Sequence, residues 1–454
     1  MTSLTFYGGV NEIGGNKFLL EDGESRIFLD FGRNFAREKR YFDEPWLRPM
    51  KEENLIDLGI LPNLPGLYRK DEEQEPSADG VLISHPHTDH YDSLRWLHIE
   101  IPAFMAPAAE TLVLAREFAG RPAPSKDYAI GSFTKKEGQE VFRKLEPLNM
   151  TKATNIAGLP TTAYEVDHSV FGAVGYVIET KAGNVVYTGD FRLHGPRGSK
   201  SKAFLEASAK HDPVALLIEG THIGESKVES EEEVRGKLTS IVQQARGLVL
   251  AGFAQADLDR LSTFYFVAKA TDRTLILTSK QAFLLDQLWQ AGQFDAFSLN
   301  AENVLIARRE KKGTHAFEDY LDEHYPGRLL SATDIKDKQQ ETILVASLSD
   351  MLALPIIDPA PGSVYVLSSS EPVDEEMEIS FERLKAWLAR WGLPMFQVHA
   401  SGHATPNDLR LAVETIRPKK VFLVHTESPA LYARFLDKLG FEVVQPEEGR
   451  GYEL

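Results

Sequence analysis

Three histidines and one aspartate, His85, His87, Asp89 and His90, occur within a single stretch of six residues. The stretch follows the apolar run 81–83, which is typical of a buried strand. Because alternate residues of a strand point to the same side, we expect His85 and His87 to face one point, and Asp89 and His90, on the turn that comes next, to reach a second. Imidazole nitrogens and carboxylate oxygens bind divalent metals, zinc best and manganese next. The spacing therefore predicts a site for two ions, and the alternative is a histidine-rich surface loop.

Two later motifs are built in the same way and offer further ligands. His168 precedes a run that alternates like a strand, and Asp190 lies in a Thr-Gly-Asp turn just past another apolar run. A carboxylate has two separate oxygens, so Asp190 suits a bridge between two ions, whereas His168 would complete a set of three histidines with His85 and His87. Taken singly, either residue could equally have a structural role.

The composition limits both the metal ligands and the class of protein. The chain has 454 residues, more than a single domain usually has, and it contains no cysteine. Disulfides, thiolate nucleophiles and cysteine zinc sites are therefore excluded, which leaves nitrogen and oxygen ligands. The formal net charge of −17 argues against a protein that coats nucleic acid nonspecifically, but not against a nuclease in which only the cleft is positive. The sequence shows no secretion signal and no apolar run of spanning length, so we expect a cytoplasmic protein without membrane contact.

The elements that must position these residues begin with a predicted hairpin. Two short apolar runs flank an Asp-Gly turn, and Asp30 ends the second run. Asp30 either orients the histidine loop through hydrogen bonds or is an ordinary strand-ending aspartate. Residues 33–79 are predicted to form a long irregular surface loop. The aromatic residues that favour an ordered loop are Tyr41, Phe42, Trp46 and Tyr68.

The region after Asp190 alternates between helix and strand patterns. Ser230 and the three glutamates after it predict the start of a helix, because they supply a cap and a negatively charged first turn. The predicted elements are a helix over 229–246, a strand over 248–253, a helix over 258–270, a strand over 274–278 and, later, a helix over 406–416. Such alternation implies a parallel sheet of the α/β class.

The order of the motifs resembles that of the metallo-β-lactamase superfamily. The resemblance rests on the His-x-His-x-Asp-His run at 85–90, the lone His168, Asp190 in its Thr-Gly-Asp turn and the earlier Asp30. It implies an αββα sandwich with both ions at the edge of the sheets. Because that superfamily includes lactamases, thioesterases, lactonases and nucleases, the function depends on the part of the chain after Asp190.

The remainder of the chain resembles the β-CASP branch, in which an α/β domain is inserted into the sandwich. Glu219 in Glu-Gly-Thr, His403 in Ser-Gly-His and His425 in Val-His-Thr-Glu match its motifs A, B and C. A histidine in motif C goes with the members that process RNA, and the glycine-rich segment 8–16 is most similar to RNase J. The chain departs from RNase J in its long 33–79 segment and resembles a short form without the carboxyl-terminal domain. The predicted domains are a metallo-β-lactamase domain over residues 1–222 and 393–454, and an inserted β-CASP domain over residues 223–392.

The resemblance implies a metal-dependent ribonuclease that uses a hydroxide activated by two divalent ions, Zn²⁺ or Mn²⁺. The implied metal ligands are His85, His87 and His168 for one ion, Asp89, His90 and His425 for the other, and Asp190 as the bridge. The implied catalytic residues are Asp89, His403, which would assist the leaving group, and Glu219, which would orient His403. The residues expected to bind nucleotides are His399, Ser401 and Gly402. Arg192 and His194 are weaker candidates.

The expected partner is single-stranded RNA, cut from its 5′ end, internally or in both ways, and the resemblance allows a homodimer. RNA would lie between the two domains and stack on the aromatics of the 33–79 segment or on Phe253. Two other interpretations stay open. One is a β-CASP hydrolase that acts on DNA or on a small phosphodiester. The histidine at position 425 argues against DNA as the substrate. The other is a non-catalytic nucleic-acid-binding relative, against which the complete ligand set speaks.

Overall fold

The structure is a computed structural model that describes residues 1–43, 46–120, 129–134, 140–224, 229–309, 313, 315–369, 375–437 and 439–454. The chain divides into two compact units. The first unit comprises Met1–Lys227 and Gly402–Leu454, and the second comprises Val228–Ser401. The domain boundaries proposed from the sequence, after residue 222 and before residue 393, stay a prediction.

Among its described residues, the first unit begins with thirteen strands and five helices. The strands are β1 (Thr2–Phe6), β2 (Phe18–Asp22), β3 (Ser25–Leu29), β4 (Gly80–Leu82), β5 (Ala103–Met105), β6 (Ser132–Thr134), β7 (Glu140–Phe142), β8 (Leu145–Pro147), β9 (Thr154–Ile156), β10 (Leu159–Glu165), β11 (Val174–Thr180), β12 (Gly183–Tyr187) and β13 (Ala215–Ile218). The helices are α1 (Phe35–Glu38), α2 (Glu52–Asp57), α3 (Thr88–Tyr91), α4 (Pro107–Ala119) and α5 (Gly198–Ala209), with 3-10 helices at Arg69–Asp71 and Asp92–Trp96.

The second unit alternates helix and strand, and the chain then returns to the first unit. The second unit contains α6 (Glu231–Gln244), β14 (Val249–Gly252), α7 (Leu258–Ala270), β15 (Thr274–Thr278), α8 (Ser279–Gln290), β16 (Val304–Ala307), α9 (Ala316–His324), β17 (Leu329–Leu330), α10 (Ala332–Lys336), β18 (Thr342–Val345), α11 (Leu354–Ile357), β19 (Val364–Leu367), α12 (Glu375–Arg390) and β20 (Met395–Gln397), with 3-10 helices at Gln339–Glu341 and Leu348–Ala353. The return segment contains α13 (Pro406–Ile416), β21 (Lys420–Leu423), α14 (Pro429–Asp437), β22 (Glu442–Val444) and β23 (Gly451–Glu453).

Two seven-stranded sheets form the sandwich of the first unit. Their strand orders are β23-β1-β2-β3-β4-β5-β8 and β22-β21-β13-β12-β11-β10-β9. Strand side chains alternate between faces, so Tyr176 and Ile178 enter the core shared by both sheets, whereas Val177 joins a second core with α5, α13 and α14. The αββα fold expected from the resemblance is confirmed.

The second unit is a parallel α/β sheet, as its helix and strand alternation predicts. Its order is β17-β16-β15-β18-β14-β19-β20, and every pairing is parallel. The predicted bounds of α7, β15 and α13 are those observed, and Ser230 caps α6 in a capping box with Glu233. Among the residues that the structure describes, no helix has the length and apolar character needed to cross a bilayer.

Two predictions about the first unit are wrong in detail. The histidine motif does not continue a strand, because β4 ends at Leu82 and the backbone N–H of Ser84 donates to the Asp30 carboxylate instead of to a neighbouring strand. The 33–79 segment is not irregular throughout, since α1, α2 and one 3-10 helix lie in it. Tyr68, expected in a surface loop, is fully buried and donates to the Pro62 carbonyl at 2.6 Å.

Arg143 fixes the backbone that comes after the histidine motif. Its guanidinium is buried, and burial lowers the pKa of this group to about 9, so it stays charged at neutral pH. Its Nε donates to the Ile130 carbonyl at 3.3 Å. The other carbonyls it contacts, at 2.7–3.0 Å, belong to Leu94, Leu97, His98 and Ile101. One side chain thus satisfies the end of the 3-10 helix that directly follows α3.

We predict that Arg143→Met lowers the free energy of unfolding by about 3 kcal/mol or more, because several buried carbonyls lose their donor together. Urea denaturation followed by circular dichroism measures the change. The matched control is Arg450→Met, since Arg450 is exposed and contacts only near neighbours in sequence among the described residues, Glu447 and the Tyr452 ring, and its change should stay within about 1 kcal/mol. Equal effects of both substitutions would refute the role assigned to Arg143.

Candidate metal centre

The carboxyl ends of several strands carry the polar residues of the site. Asp190, Glu219 and His425 follow β12, β13 and β21, which are neighbouring parallel strands. His168 follows β10, which runs in the same direction as β12 because both are antiparallel to β11. Since such strand ends meet at one edge of a sheet, residues far apart in sequence are brought together.

Asp30 organises the loop after β4. Its side chain is fully buried, and its backbone has φ of 58°, a conformation unusual for a residue other than glycine. The carboxylate accepts hydrogen bonds from Ser84 N at 2.7 Å, Ser84 Oγ at 2.8 Å, His90 Nδ1 at 2.7 Å and Tyr187 Oη at 2.5 Å. The sequence left open whether Asp30 orients the histidine loop, and these contacts show that it does.

Hydrogen bonds at Nδ1, on the side of each ring away from the centre, fix the tautomers of three histidines. His90 Nδ1 faces Asp30, and His168 Nδ1 lies 2.6 Å from the Gly402 carbonyl oxygen, so both nitrogens carry a proton. Ser84 Oγ gives its single proton to Asp30 and therefore accepts from His85 Nδ1 at 2.9 Å. In each ring the Nε2 atom is left to face the centre, as in histidines that bind metals.

His85, His87 and His168 converge on one point. His87 Nδ1 lies 3.1 Å from His85 Nε2 and 3.0 Å from His168 Nε2. Burial is the main cause that lowers the pKa of all three, to about 3 for His87 and well below the usual value for the other two. Neutral imidazoles are the form that binds a metal, so these rings are ready ligands at neutral pH.

Asp89, His90 and His425 form a neighbouring group. Asp89 Oδ2 lies 3.6 Å from His90 Nε2 and 3.2 Å from His425 Nε2. Burial lowers the pKa of His90, but the carboxylates of Asp190, Asp89 and Asp30 outweigh it and raise that pKa well above the usual value. The backbone of His425 has φ of 51° and its N–H donates to the Gly9 carbonyl, so a strained conformation is held at this ligand.

Asp190 lies between the two groups. Its Oδ2 is 3.6 Å from His85 Nε2 and 3.3 Å from His90 Nε2, and its Oδ1 is 3.6 Å from His425 Nδ1. Burial opposes ionisation, but the surrounding histidines hold the pKa of Asp190 well below its usual range. Gly189 places this aspartate, because φ is 54° there and a Cβ would lie 2.7 Å from the Cβ of Ser84.

The donor set fits divalent metal ions. In the part of the chain that the structure describes, four overlapping groups of histidine and carboxylate side chains have ligand atoms within 4.8 Å of one another. The structure brings together all seven residues predicted as ligands, namely His85, His87, Asp89, His90, His168, Asp190 and His425. Buried nitrogen and oxygen donors with fixed outer partners are the arrangement that zinc proteins use.

His403 and Glu219 stand beside this cluster. His403 Nδ1 lies 2.9 Å from Glu219 Oε2 and 3.7 Å from Asp190 Oδ2. The other oxygen of Glu219 accepts from the backbone N–H of Phe191 at 3.0 Å, which fixes the carboxylate next to Asp190. Burial lowers the pKa of His403, but Glu219 and Asp190 outweigh it and raise the pKa to about 9. The imidazolium can therefore donate a proton or a hydrogen bond at neutral pH.

The three residues predicted to bind nucleotides differ in their placement. Gly402 lies in the first unit, and its carbonyl contacts His168, a role that the sequence does not indicate. A Cβ at Gly402 would lie 2.6 Å from Ser169 Oγ, so glycine is required for the close approach. His399 and Ser401 belong to the second unit, directly after β20, and their role stays a prediction.

Other side chains belong to the site although the sequence did not single them out. Asn16 Nδ2 lies 3.1 Å from His90 Nε2, and Thr221 Oγ1 lies 2.8 Å from His425 Nδ1. Their only signal is position, since Asn16 ends the glycine-rich segment and Thr221 stands two residues after Glu219. The weaker candidates contact other groups: Arg192 Nε donates to Asp167 at 2.9 Å, and His194 Nδ1 lies 3.7 Å from Asp408.

Comparison with known proteins agrees with this geometry. Residues 60–229 match the family described as "Beta-lactamase superfamily domain", and residues 395–446 match "Zn-dependent metallo-hydrolase RNA specificity domain". These two matches support an RNase J-like member of the metallo-β-lactamase superfamily, in agreement with the motifs of the sequence. A crystal structure of a protein of unknown function from Enterococcus faecalis V583 shares the fold, with a TM-score of 0.78, 22% identity and coverage of 100% of both chains.

Several curated ribonucleases are similar along most of the chain. Ribonuclease J 2 of Streptococcus pyogenes serotype M3 is 24% identical over 445 residues, which cover 95% of this chain and 71% of the relative. Ribonuclease J of Sinorhizobium meliloti is 25% identical, with coverage of 94% and 69%, and that of Mycoplasma pneumoniae is 21% identical, with coverage of 94% and 68%.

We predict that Tyr187→Phe weakens zinc binding by about tenfold or more, because loss of one donor to Asp30 loosens the group that orients His90 and Ser84. Competition with a chromophoric chelator measures the affinity. Tyr365→Phe is the matched control, since Tyr365 is also buried but lies in the second unit. If both variants bind zinc as tightly as the unaltered chain, Asp30 does not control the centre.

Proposed function

We propose that the chain is a metal-dependent ribonuclease that hydrolyses RNA phosphodiesters with two divalent ions, zinc or manganese. The main observation in support of this function is that Asp190 lies between two groups of proposed ligands, with a protonated His403 next to it. His85, His87 and His168 would hold one ion, Asp89, His90 and His425 the other, and Asp190 would bridge them. Bound ions of this kind lower the pKa of water and neutralise charge on phosphate oxygens.

The residues of the chain supply positioning and a proton. His403 carries a proton at neutral pH, which it donates to the leaving oxygen or shares with a phosphate oxygen as negative charge develops. Glu219 orients the ring through its 2.9 Å contact with Nδ1, which turns Nε2 toward substrate. Asp89 acts through its contact with His425, which keeps both side chains in place.

RNA is the proposed substrate for two reasons. The return segment matches a family named for RNA specificity, and the similar curated proteins are ribonucleases J. We further propose that the substrate is single-stranded, that cleavage proceeds from the 5′ end with internal cuts as a second mode, and that His399, Ser401 and Gly402 contact nucleotides beside the scissile bond.

We predict that His403→Ala lowers the rate of RNA cleavage by about 100-fold or more while zinc content is retained, because His403 acts on substrate and not on the metal. The substrate is a single-stranded RNA labelled at its 3′ end, with a 5′-monophosphate or a 5′-hydroxyl, beside a DNA of equal sequence. His324→Ala is the control, since His324 is exposed on α9 of the second unit.

Each product pattern decides one part of the proposal. Stepwise shortening from the 5′ end supports the exonuclease mode, and internal products support the endonuclease mode. Equal cleavage of DNA would overturn the RNA preference. A zinc-loaded chain that cleaves neither strand would refute the proposed function.

A further inference from the structure

Residues 35–43 and 46–51 form a surface that is both apolar and basic, and we call it the 35–51 surface. The side chain of Trp46 is 87% exposed, and that of Tyr41 is 48% exposed. Phe35, Leu47 and Met50 are also exposed. In the sequence from 35 to 51 five residues are Lys or Arg and three are Asp or Glu, whereas the whole chain has 50 basic and 67 acidic residues. One of the three acidic groups, Glu38, is buried against Arg33 at 2.7 Å. Arg40 and Arg48, which are both exposed, thus place positive charge near the exposed aromatic rings of an acidic protein.

The exposed aromatics are carried on a fixed backbone. Asp43 and Leu47 exchange two backbone hydrogen bonds, at 2.9 and 2.8 Å, and Trp46 N donates to the Asp43 carbonyl at 2.8 Å. Tyr41 N donates to the Glu38 carbonyl at the end of α1. Phe42, by contrast, packs against the core of the first unit. A ring that is presented to solvent from a fixed loop loses little conformational entropy when a ligand stacks on it.

A cleft joins this surface to the glycine-rich loop. Its volume is about 450 Å³, and its lining includes Arg37, Arg40 and Tyr41 on one side and Val10 and Asn11 on the other. Arg37 forms ion pairs with Glu12 and Glu448, and these pairs hold its guanidinium in place at the wall of the cleft. Arg40 is exposed at the rim, where it can meet a phosphate.

The two residues that precede this surface, Arg33 and Asn34, contact segments next to the candidate metal centre. Arg33 N donates to the Thr88 carbonyl at the start of α3, one residue before Asp89. Asn34 packs so closely on Gly15 that a Cβ there would lie 2.7 Å from Asn34 Nδ2. On the far side of the cleft, Gly9, the residue before Val10, accepts from the backbone N–H of His425. The segments on the two sides of the cleft are therefore tied to the candidate metal centre, one through Thr88, which precedes Asp89, and the other through His425.

We propose that the 35–51 surface and its cleft bind single-stranded RNA outside the scissile phosphodiester. Tyr41 and Trp46 stack on bases, and Arg40 and Arg48 meet phosphates. Exposed rings interleaved with cations are what a sequence-tolerant single-strand site requires, since every base has a π-face and every linkage a negative charge. The inference rests on the proposed function. It adds a second contact region, which binds nucleotides of the substrate that lie beyond those at the metals.

Charge favours RNA over a protein or a second copy as the occupant. A chain of net charge −17 repels another copy of itself, whereas the positive 35–51 surface attracts a polyanion. Aromatic and arginine side chains also occur at protein interfaces, so a protein occupant is an outcome that the experiment must separate from RNA. Kinetics on RNAs of different length, together with sedimentation, distinguish the three occupants.

The test compares a 20-nucleotide RNA with a dinucleotide, which supplies only the two nucleotides beside the scissile bond. For the variant Tyr41→Ala/Trp46→Ala, the ratio of kcat/KM for the long RNA to kcat/KM for the dinucleotide should fall by about tenfold or more, through a higher KM. Trp289→Ala is the matched control, because Trp289 is a partly exposed tryptophan on α8 of the second unit. It should leave the ratio unchanged.

A salt titration tests the phosphate contacts separately. For Arg40→Ala/Arg48→Ala, the slope of log affinity against log salt concentration for the long RNA should become shallower by about 1.4, the value for two phosphate contacts on a single strand. The control Lys210→Ala/Lys269→Ala removes two exposed charges elsewhere and should leave the slope as it is.

The outcomes separate this inference from the proposed function. If the unaltered chain cleaves RNA and the Tyr41/Trp46 variant keeps the same ratio, the proposed surface is wrong while the ribonuclease stands. If the variant changes sedimentation or the mass of a complex but not RNA kinetics, the surface binds protein and the inference is overturned. If the unaltered chain cleaves neither RNA nor the dinucleotide, the proposed function itself fails.

Discussion

The site depends on one buried carboxylate. Asp30 accepts four hydrogen bonds from three residues, Ser84 and His90 in the segment after β4 and Tyr187 at the end of β12. A buried carboxylate is costly unless its oxygens are satisfied, and here the same donors that satisfy it also fix rings of the candidate metal centre. Ser84 also contacts His85. Asp30 therefore orients two proposed ligands, His90 directly and His85 through Ser84. Stability of the loop and order of the metal centre therefore have a common origin.

Much of the fold and of the ligand set could be predicted from the sequence. The parallel α/β unit follows from local periodicity and caps, because Ser230 and the apolar spacing of α6 and α7 act over a few residues. Six of the seven proposed ligands could be identified because their motifs adjoin apolar runs, and the family resemblance supplied the seventh, His425. Which strands lie side by side depends on the sandwich topology, and only the resemblance supplied it.

The contacts that sequence reasoning missed depend on long-range packing. Asn16 meets His90 across 74 residues, and Gly402 meets His168 across 234, through atoms that no local pattern marks. The expected strand alternation of His85 and His87 fails because Asp30 captures the backbone of Ser84 and ends the ladder. The same limit applies to the 33–79 segment, where burial of Tyr68 and exposure of Trp46 follow from packing. The amino-acid composition of the segment does not show that Tyr68 is buried and Trp46 is exposed.

Metal reconstitution tests most directly whether the His and Asp cluster is a two-metal hydrolytic centre for RNA. The chain is stripped with a chelator and zinc is added back in steps, while bound zinc and cleavage of single-stranded RNA are followed in the same samples. We expect cleavage to appear as zinc binds and to reach its full rate at about two ions per chain. Cleavage at full rate without bound metal, or two bound ions without any RNA cleavage, would contradict a two-metal ribonuclease.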